Sequence, residues 1–400
     1  MDRHSTLENL QMTLTLNWGI AGVGMISHDF LTAMSNLSSD QHKVVAIAGK
    51  DLSRAHRLAM LHNINTAYEG YESLANDSSI DIVFVSVMNL QHYDVAKLML
   101  ENGKHVLCEK PMGMTYKQTK SLVDLAREKK LFLLEGMWSR FFPAYDALDK
   151  HIATGGLGDV YHVNVQFGVE INDIERNLMK DLGGGAVMDL GLYMLQLVQF
   201  VYKEPPTDIM CTGHLSKAGV DESLSCALKY KGGRTATISA HTRVTMTNRA
   251  EITGTKGTIA LEYFWCPTTL QISAANNTEW TLPKGKYSYH FHNSAGLSYQ
   301  IQECWDCLAK EYLVFQLEYF WCPTTLQISA ANNTEWTLPK GKYSYHFHNS
   351  AGLSYQIQEC WDCLAKGLLE SPKMSLDESI LFSKLTDTMR AQLGVLDVGL

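Results

Sequence analysis

The chain has 400 residues, of which 46% are hydrophobic and 19% charged, and its formal net charge is −8. This length and composition predict a soluble, cytoplasmic globular protein of two domains. The acidic balance argues against nucleic-acid binding, which needs a basic face, and no apolar run approaches the ~18 residues of a membrane span. Residues 1–15 lack the apolar core of a secretory signal and are predicted to be an N-terminal extension.

A strand pattern over Leu14–Ala21 runs into a glycine-rich turn and then into a helical segment. Gly22 and Gly24 allow a tight turn and a close approach of the backbone to a pyrophosphate. Ser27 stands where a third small residue is usual, and its side chain is small enough. Because an alternating strand and helix series follows, we predict a dinucleotide-binding Rossmann domain over residues 16–136.

The second predicted strand, Lys43–Ala48, ends in a basic segment. An NAD site would place an acidic residue there to bind the ribose 2′-hydroxyl. Lys50 and Arg54 can instead pair with a 2′-phosphate, and Ser53 adds a hydroxyl. The negative charge of Asp51 would repel that phosphate, unless the side chain instead caps the helix that starts beside it. We predict NADP as the cofactor, with NAD less favoured.

The third predicted strand, Asp81–Val87, leads to two polar side chains. Asn89 and His92 follow the carboxyl end of the strand, where ligands of open α/β sheets collect. We therefore predict that both contact the nicotinamide half of the cofactor. In the alternative, Asn89 caps the next helix and His92 has a structural role.

The fourth predicted strand, Lys104–Cys108, delivers the sequence Glu109-Lys110-Pro111 to the same edge of the sheet. Proline fixes the turn there, and Lys110 is placed to meet a bound cofactor. A helix over 116–130 and a fifth strand over 131–138 complete the predicted first domain.

The remainder, 137–400, is predicted to be an α+β substrate and dimerisation domain with an open, mainly antiparallel sheet. Together with the Rossmann domain, this gives the chain an α/β fold class. Strand patterns dominate after residue 155. Three glycines precede a helix on which Asp189 and Tyr193 are four residues apart and share one face. A carboxylate and a phenol opposite Lys110 form an acid–base group. The alternative is a helix N-terminal aspartate with a core tyrosine.

A segment of fifty residues, 261–310, recurs without a change at 317–366, separated by Glu311–Gln316. Natural repeat arrays diverge and usually contain three or more copies. The double copy therefore indicates a recent exon duplication or an error in a gene assembly. One native position must serve two identical sequences, and the sequence alone does not choose between them. One solution is a hybrid, with the strand of the first copy, the helix of the second and a long loop between.

Nine cysteines are present, but six of them lie in the duplicated segment. Each copy contains C-x-x-C, at Cys304/Cys307 and at Cys360/Cys363. A zinc or redox function is one interpretation, but a helical pattern surrounds each pair and no matching histidine pair accompanies it. We predict core cysteines in a reduced, intracellular protein and no metal site.

Five stretches, in order and spacing, resemble the Gfo/Idh/MocA oxidoreductase family, and within it the group of dimeric dihydrodiol dehydrogenases. They are WGIAGVGMIS, AIAGKDLSRA, VLCEKPMGM, LFLLEGMWSRFFPA and GGGAVMDLGLYMLQ. Later matches include GTKG, FWCPTTL and AGLSY. The resemblance covers about residues 15–310 and 317–395, which includes each copy once.

The resemblance implies a role for individual residues. Lys110 would orient the nicotinamide and the substrate oxygen, and Tyr193 would be the general acid–base beside Asp189. His92 would belong to the coenzyme side of the cleft, and Trp138, with Tyr193, to the substrate pocket. Phe84 stands where this group often carries tyrosine. The implied cofactor-binding set is Gly22, Gly24, Ser27, Lys50, Ser53, Arg54, Phe84, Asn89, His92, Glu109 and Lys110.

The resemblance implies NADP-dependent oxidation of trans-dihydrodiols of aromatic hydrocarbons to catechols, of D-xylose to its lactone, or of both. It also implies a homodimer formed through the open sheet, which the duplication puts at risk. Three alternatives are another sugar, polyol or inositol dehydrogenase of the family, a non-catalytic NADP-binding sensor, and a misassembled gene whose product does not fold.

Overall fold

A computed structural model of the protein describes residues 14–171, 174, 178–272, 277–279, 343–347 and 349–395. Its first third forms a parallel sheet of six strands in the order β3-β2-β1-β4-β5-β6. The strands are β1 (Leu16–Ala21), β2 (His42–Gly49), β3 (Thr66–Glu69), β4 (Ile82–Val85), β5 (His105–Glu109) and β6 (Leu133–Gly136). This order reverses between β1 and β4, and in such sheets a dinucleotide binds at the reversal.

The helices that connect these strands cover the sheet. They are α1 (Met25–Met34), α2 (Leu52–His62), α3 (Glu72–Asn76), α4 (His92–Glu101) and α5 (Tyr116–Lys129). The predicted strand and helix alternation is confirmed, with β3 as the one strand that the sequence pattern missed. β3 has four residues and is only partly buried, so it carries no clear period-two signal.

The second sheet has eight strands in the order β14-β13-β12-β11-β7-β10-β9-β8. They are β7 (Val160–Gly168), β8 (Asp208–Leu215), β9 (Asp221–Lys229), β10 (Thr235–His241), β11 (Arg249–Gly254), β12 (Gly257–Glu262), β13 (Thr269–Ile272) and β14 (Asn277–Glu279). The β7–β10 pair is parallel and the other pairs are antiparallel. The α/β fold class with a mainly antiparallel second sheet is thus confirmed.

Four helices complete this part of the chain, α6 (Pro143–Ala153), α7 (Leu192–Tyr202), α8 (Leu353–Ala365) and α9 (Leu376–Leu393). α9 starts at a capping box of Ser375 and Glu378. It connects the two sheets, because Arg390 donates to the carbonyl of Met114 at 2.8 Å and Gln392 donates to that of Ile209 at 2.9 Å.

One described helical stretch, Lys180–Tyr202, is long and apolar enough to cross a membrane, but 78% of its apolar window is buried inside the fold. It includes α7, whose side chains pack on the second sheet. Burial of this kind is typical of a core helix rather than of a membrane span.

The duplicated segment contributes different parts of its two copies. The first copy supplies the end of β12 together with β13 and β14, whereas the second supplies α8. They meet where the side chain of Asn349 donates to the carbonyl of Cys266 at 2.5 Å. The two ends of the hybrid are therefore present in the described residues, namely the strand from the first copy and the helix from the second. Most of 273–342, and all of 1–13 in the predicted N-terminal extension, lie outside the described residues.

The cysteines follow the prediction only in part. Cys360 and Cys363 are free and buried on α8, so the interpretation as core cysteines is confirmed for the second copy. Their counterparts Cys304 and Cys307 lie outside the described residues. Cys211 and Cys226 face each other across β8 and β9 and form a disulfide. The expectation of a fully reduced chain is wrong at this pair.

A buried histidine couples the first sheet to α8 and makes stability depend on pH. His42 accepts a hydrogen bond from the indole of Trp18 at 3.3 Å and lies 3.4 Å from the side-chain oxygen of Gln358. Burial lowers the pKa of His42 from 6.5 to about 4. The unfolded chain therefore binds this proton near pH 6.5, but the folded chain binds it only near pH 4.

Stability is consequently lost as the pH falls from 6.5 towards 4, by at most about 3 kcal/mol from this group. Comparison with His42→Gln isolates the effect, since other groups titrate equally in both proteins. Urea unfolding at pH 7, 5.5 and 4.5 should show wild type losing its stability relative to the variant as the pH falls. His56→Gln, at an exposed position of α2, is the control. A constant difference between wild type and His42→Gln would contradict the prediction.

Candidate active site

The glycine-rich turn after β1 has the shape of a dinucleotide site. Gly22 has φ +129°, and a Cβ there would lie 2.5 Å from the carbonyl oxygen of Ser86, so only glycine fits. Gly24 begins α1 without a side-chain cap, and a Cβ at this position would meet no described atom within 4 Å. No described side chain caps the first amides of α1, and an uncapped helix N-terminus after a glycine-rich turn can bind a pyrophosphate. These residues fit the predicted dinucleotide.

Two residues of the predicted cofactor set support this turn from below. The hydroxyl of Ser27 lies 2.8 Å from that of Ser86, and both side chains are buried. Phe84 is fully buried and stacks on Phe30 of α1, with ring centroids 3.8 Å apart. The structure places Phe84 in the core between β4 and α1 rather than on the wall of the cleft. Side chains of a strand point alternately to its two faces, and that of Phe84 points to the face that α1 covers.

The end of β2 presents cations and a hydroxyl. Asp51 caps α2, because its carboxylate accepts from the amides of Ser53 at 2.8 Å and Arg54 at 3.1 Å. The guanidinium of Arg54 reaches back to the carbonyl of Val23 in the glycine-rich turn at 3.4 Å. Lys50 and Ser53 are exposed. Of the two roles that the sequence allowed for Asp51, the structure shows the helix cap.

Lys110 forms the centre of the site. It follows β5, and its Nζ donates to the carboxylate and to the backbone carbonyl of Asp189, both at 3.1 Å. Nζ also lies 4.7 Å from the centre of the Tyr193 ring. Asp189 belongs to a π-helical turn, Val187–Gly191, directly before α7. The structure thus brings together the three residues that the sequence analysis grouped as catalytic.

Tyr193 is half-buried, and its hydroxyl accepts a hydrogen bond from the indole nitrogen of Trp138 at 2.9 Å. Burial raises the pKa of Tyr193 well above its usual value, and the carboxylates of Glu109 and Asp189 raise it further. The phenol is therefore protonated at neutral pH. A positive charge beside the ring, such as that of Lys110, is what allows a phenol to act as a base.

Asn89 and His92 lie beside this centre. The amide of Asn89 donates to the carbonyl of Gly183 at 3.3 Å and so joins the first domain to the three-glycine turn. α4 is preceded by Gln91, so Asn89 is not its cap. His92 is buried, with ring nitrogens 2.7 Å from the carbonyl oxygen of Pro111 and 3.1 Å from that of Val87. It packs beneath the turn that carries Lys110.

Two buried carboxylates that the sequence analysis missed hold the catalytic segments. Glu135 of β6 accepts from the amide of Met112 at 2.8 Å, and burial raises its pKa. Asp221 accepts from the amide of Val187 at 2.6 Å, and burial raises its pKa to about 6. The first fixes the turn after Lys110, and the second fixes the π-helical turn. Glu135 lies within one of the stretches that carry the family resemblance, and Asp221 lies outside them, but no spacing in the sequence links either carboxylate to the amide that it accepts from.

Aromatic rings surround the phenol of Tyr193. Phe167 and Trp265 stack in parallel with centroids 4.0 Å apart, and Phe167 also meets Tyr193 edge-on at 6.1 Å. Trp138 completes the group. A cation, a phenol and flat apolar surfaces thus meet at the carboxyl end of the parallel sheet. This arrangement can bind a small ring, take up or release a proton, and stabilise a negative oxygen.

Comparison with known proteins supplies the context for this geometry. Residues 16–137 match the family described as "Oxidoreductase family, NAD-binding Rossmann fold", and residues 145–260 match the "GFO/IDH/MocA C-terminal domain". A trans-1,2-dihydrobenzene-1,2-diol dehydrogenase of Xenopus tropicalis is 35% identical, over 96% of this chain and 99% of the relative.

Two solved structures share the fold. A levoglucosan dehydrogenase in complex with NADH has a TM-score of 0.71 at 16% identity, over 96% of this chain and 100% of the other. A 3-ketoreductase from Actinomadura kijaniata in complex with NADP has a TM-score of 0.69 at 20% identity, over 95% and 98%. At these identities the likeness is one of fold alone.

Proposed function

The chain belongs to the Gfo/Idh/MocA oxidoreductase family, and we propose that it is an NADP-dependent dehydrogenase that oxidises trans-dihydrodiols of aromatic hydrocarbons to catechols. Its Rossmann domain makes it an NAD(P)-binding oxidoreductase, and its relatives support a sugar or diol dehydrogenase. The observation that carries the finer proposal is the contact of Lys110 with Asp189 and with the ring of Tyr193. D-xylose is the second substrate to be tested.

The chain's own residues move the proton and stabilise the charge. The phenolate form of Tyr193 takes the proton of the substrate alcohol, while Nζ of Lys110 stabilises the oxyanion that develops. Trp138 orients the Tyr193 hydroxyl through its indole N–H. The bound dinucleotide supplies the hydride acceptor. The hydroxyketone that results tautomerises to the catechol, whereas oxidation of D-xylose would give a lactone.

The surroundings of Tyr193 favour a flat, apolar substrate. Phe167, Trp265 and Trp138 present ring faces and edges beside its hydroxyl. A cyclohexadiene ring presents apolar surface to these rings, whereas the ring of D-xylose is covered with hydroxyl groups. The diol is for this reason placed ahead of D-xylose.

A substrate panel tests the proposal. The purified protein is mixed with NADP⁺ and the trans-dihydrodiol of benzene, D-xylose or myo-inositol, and formation of NADPH is followed. We expect the highest kcat/KM with the dihydrodiol, by at least about tenfold, because a hydrophobic pocket discriminates by roughly 1–3 kcal/mol per group. Highest turnover on myo-inositol would indicate a polyol dehydrogenase. Cofactor binding without turnover would indicate a sensor.

The preference for NADP is a separate prediction that concerns Lys50 and Arg54. Charge-assisted hydrogen bonds contribute about 1.5–3 kcal/mol each, so Lys50→Ala and Arg54→Ala should each raise KM for NADP⁺ roughly 10- to 100-fold. KM for NAD⁺ should stay within about threefold, since NAD lacks the 2′-phosphate. Arg57→Ala, an exposed position of the same helix, is the matched control. Equal losses with both cofactors would contradict NADP preference.

We further propose a cytoplasmic homodimer formed through the second sheet. α7 covers one face of that sheet. The opposite face presents exposed side chains at alternate positions of β9, which are Ser225, Ala227 and Lys229. Light scattering should give twice the chain mass of 44.8 kDa. A monomer mass would mean that the duplicated strand segment prevents this contact.

A further inference from the structure

A cluster of histidines lies on the first domain, away from Lys110. His28 belongs to the first turn of α1, His62 is the last residue of α2, and His346 comes from the second copy of the duplicated segment. Nδ1 of His28 lies 2.9 Å from Nε2 of His62. The rings of His28 and His346 are 4.8 Å apart. The ring of His28 thus lies between two other imidazoles, one from α2 and one from the second copy.

A carboxylate completes the cluster. Ligand atoms of His28, Asp29 and His346 all lie within 4.8 Å of one another. The two oxygens of Asp29 accept from the amides of His346 and Phe347, each at 2.6 Å. The side chain of Ser350 also hydrogen-bonds to this carboxylate. A carboxylate has about four lone-pair directions, so one direction is left for a cation.

The hydrogen bonds of His28 prepare it as a ligand. Its Nε2 lies 2.9 Å from the carbonyl oxygen of Ser344, which can only accept, so Nε2 carries the proton. Nδ1 therefore presents a lone pair towards His62. Metal-binding histidines usually donate their other ring N–H to a carbonyl or carboxylate in this way.

The spacing of the two closest ring nitrogens also suits a metal ion, because Nδ1 of His28 and Nε2 of His62 are 2.9 Å apart. Two nitrogens bound to zinc at ~2.0–2.1 Å in tetrahedral geometry are about 3.3 Å apart. The pair of His28 and His62 has to open by only a few tenths of an ångström, and His346 has to turn inward.

We propose that His28, Asp29, His62 and His346 form a binding site for a divalent transition metal, with Zn²⁺ as the preferred ion. Imidazole suits zinc, and three histidines with one carboxylate supply a tetrahedral set, whereas Mg²⁺ and Ca²⁺ prefer oxygen ligands. The ion would join α1, α2 and the Tyr343–Phe347 segment. Its role is structural, because the site is separate from Lys110 and Tyr193. The sequence analysis predicted no metal site, because the proposed ligands are far apart in the chain. His28 and His62 are 34 residues apart, and His62 and His346 are 284 residues apart.

The experiment uses untagged full-length protein, so that no added histidines compete. The chain is stripped with a chelator, and Zn²⁺ is titrated against a chromophoric competitor. Bound zinc is then counted by mass spectrometry of the metal after gel filtration. Co²⁺ serves as a spectroscopic probe, because a tetrahedral site gives intense visible absorption. We expect about one tight ion per chain and a higher unfolding temperature with zinc.

Variants identify the ligands. His62→Gln removes a half-buried ligand on the surface, so the fold should persist, and zinc affinity should fall at least tenfold. His346→Gln should do the same. Two controls match them, His56→Gln on the same helix and His290→Gln, the identical position of the first copy. Both controls should bind as wild type does.

Two results would overturn the proposal. One is equal zinc binding by wild type and by His62→Gln, which would leave a hydrogen-bonded histidine pair without a metal. The other is loss of affinity in His56→Gln or His290→Gln of the same size as in His346→Gln, which would indicate adventitious binding by histidines outside the proposed site. Turnover with NADP⁺ should not change in His62→Gln, so failure of the metal proposal and failure of the dehydrogenase proposal are separable.

Discussion

Lys110→Met is expected to lower kcat about 10³-fold, because removal of one group that stabilises an oxyanion costs roughly 10²–10³ and the same charge favours the Tyr193 phenolate. Methionine keeps much of the side-chain volume, so the shape of the site should persist. Binding of NADP⁺ at the glycine-rich turn should weaken far less than turnover. Steady-state kinetics together with titration of NADP⁺ binding measure the two effects separately.

The loss of Lys110 also breaks a partly buried ion pair. Asp189 is only 14% exposed at its side chain and has Lys110 as its ion-pair partner, so Lys110→Met lowers stability as well. The double variant Lys110→Met with Asp189→Asn removes both charges and should recover the unfolding temperature but not the activity. Lys120→Met, at an exposed ion pair of α5, controls for the substitution type. Near-normal kcat in Lys110→Met would reject the assignment.

Tyr193→Phe is expected to lower kcat about 10²- to 10⁴-fold, the range that a positioned general acid–base contributes. The ring stays in place against Phe167, and only the hydroxyl and its bond from Trp138 are lost. Stability should therefore change by about 1–2 kcal/mol at most. KM for the diol should rise much less than kcat falls, because the proton moves only in the transition state.

The pH profile distinguishes a proton carrier from a binding contact. In wild type, kcat/KM for oxidation should rise with pH through one ionisation, since burial keeps Tyr193 protonated and the phenolate is the base. In Tyr193→Phe this limb should disappear. Tyr161→Phe, with a side chain that is 47% exposed on β7, should retain the full profile. If the limb persists in Tyr193→Phe, another group carries the proton.

Much of the site followed from sequence because its parts are local. The G-x-G turn comes between a strand and a helix, and Lys110 follows an apolar strand at the edge where ligands collect. Asp189 and Tyr193 are four apart, which places them on one side of a helical segment even though Asp189 lies in a π-helical turn. Glu135 and Asp221 were not predictable, because each acts on a backbone amide far away in sequence.

The sequence by itself determined the parallel sheet, the cofactor turn and the identity of Lys110, because short-range patterns specify strands, turns and helices. Only the tertiary structure decided how the two identical copies are used, since their local propensities cannot differ. The first copy continues the β11–β12 hairpin, whereas α8 of the second copy leads into α9. Chain connectivity and packing, such as the bond from Asn349 to Cys266, select between them. The histidine cluster also exists only where those distant segments meet.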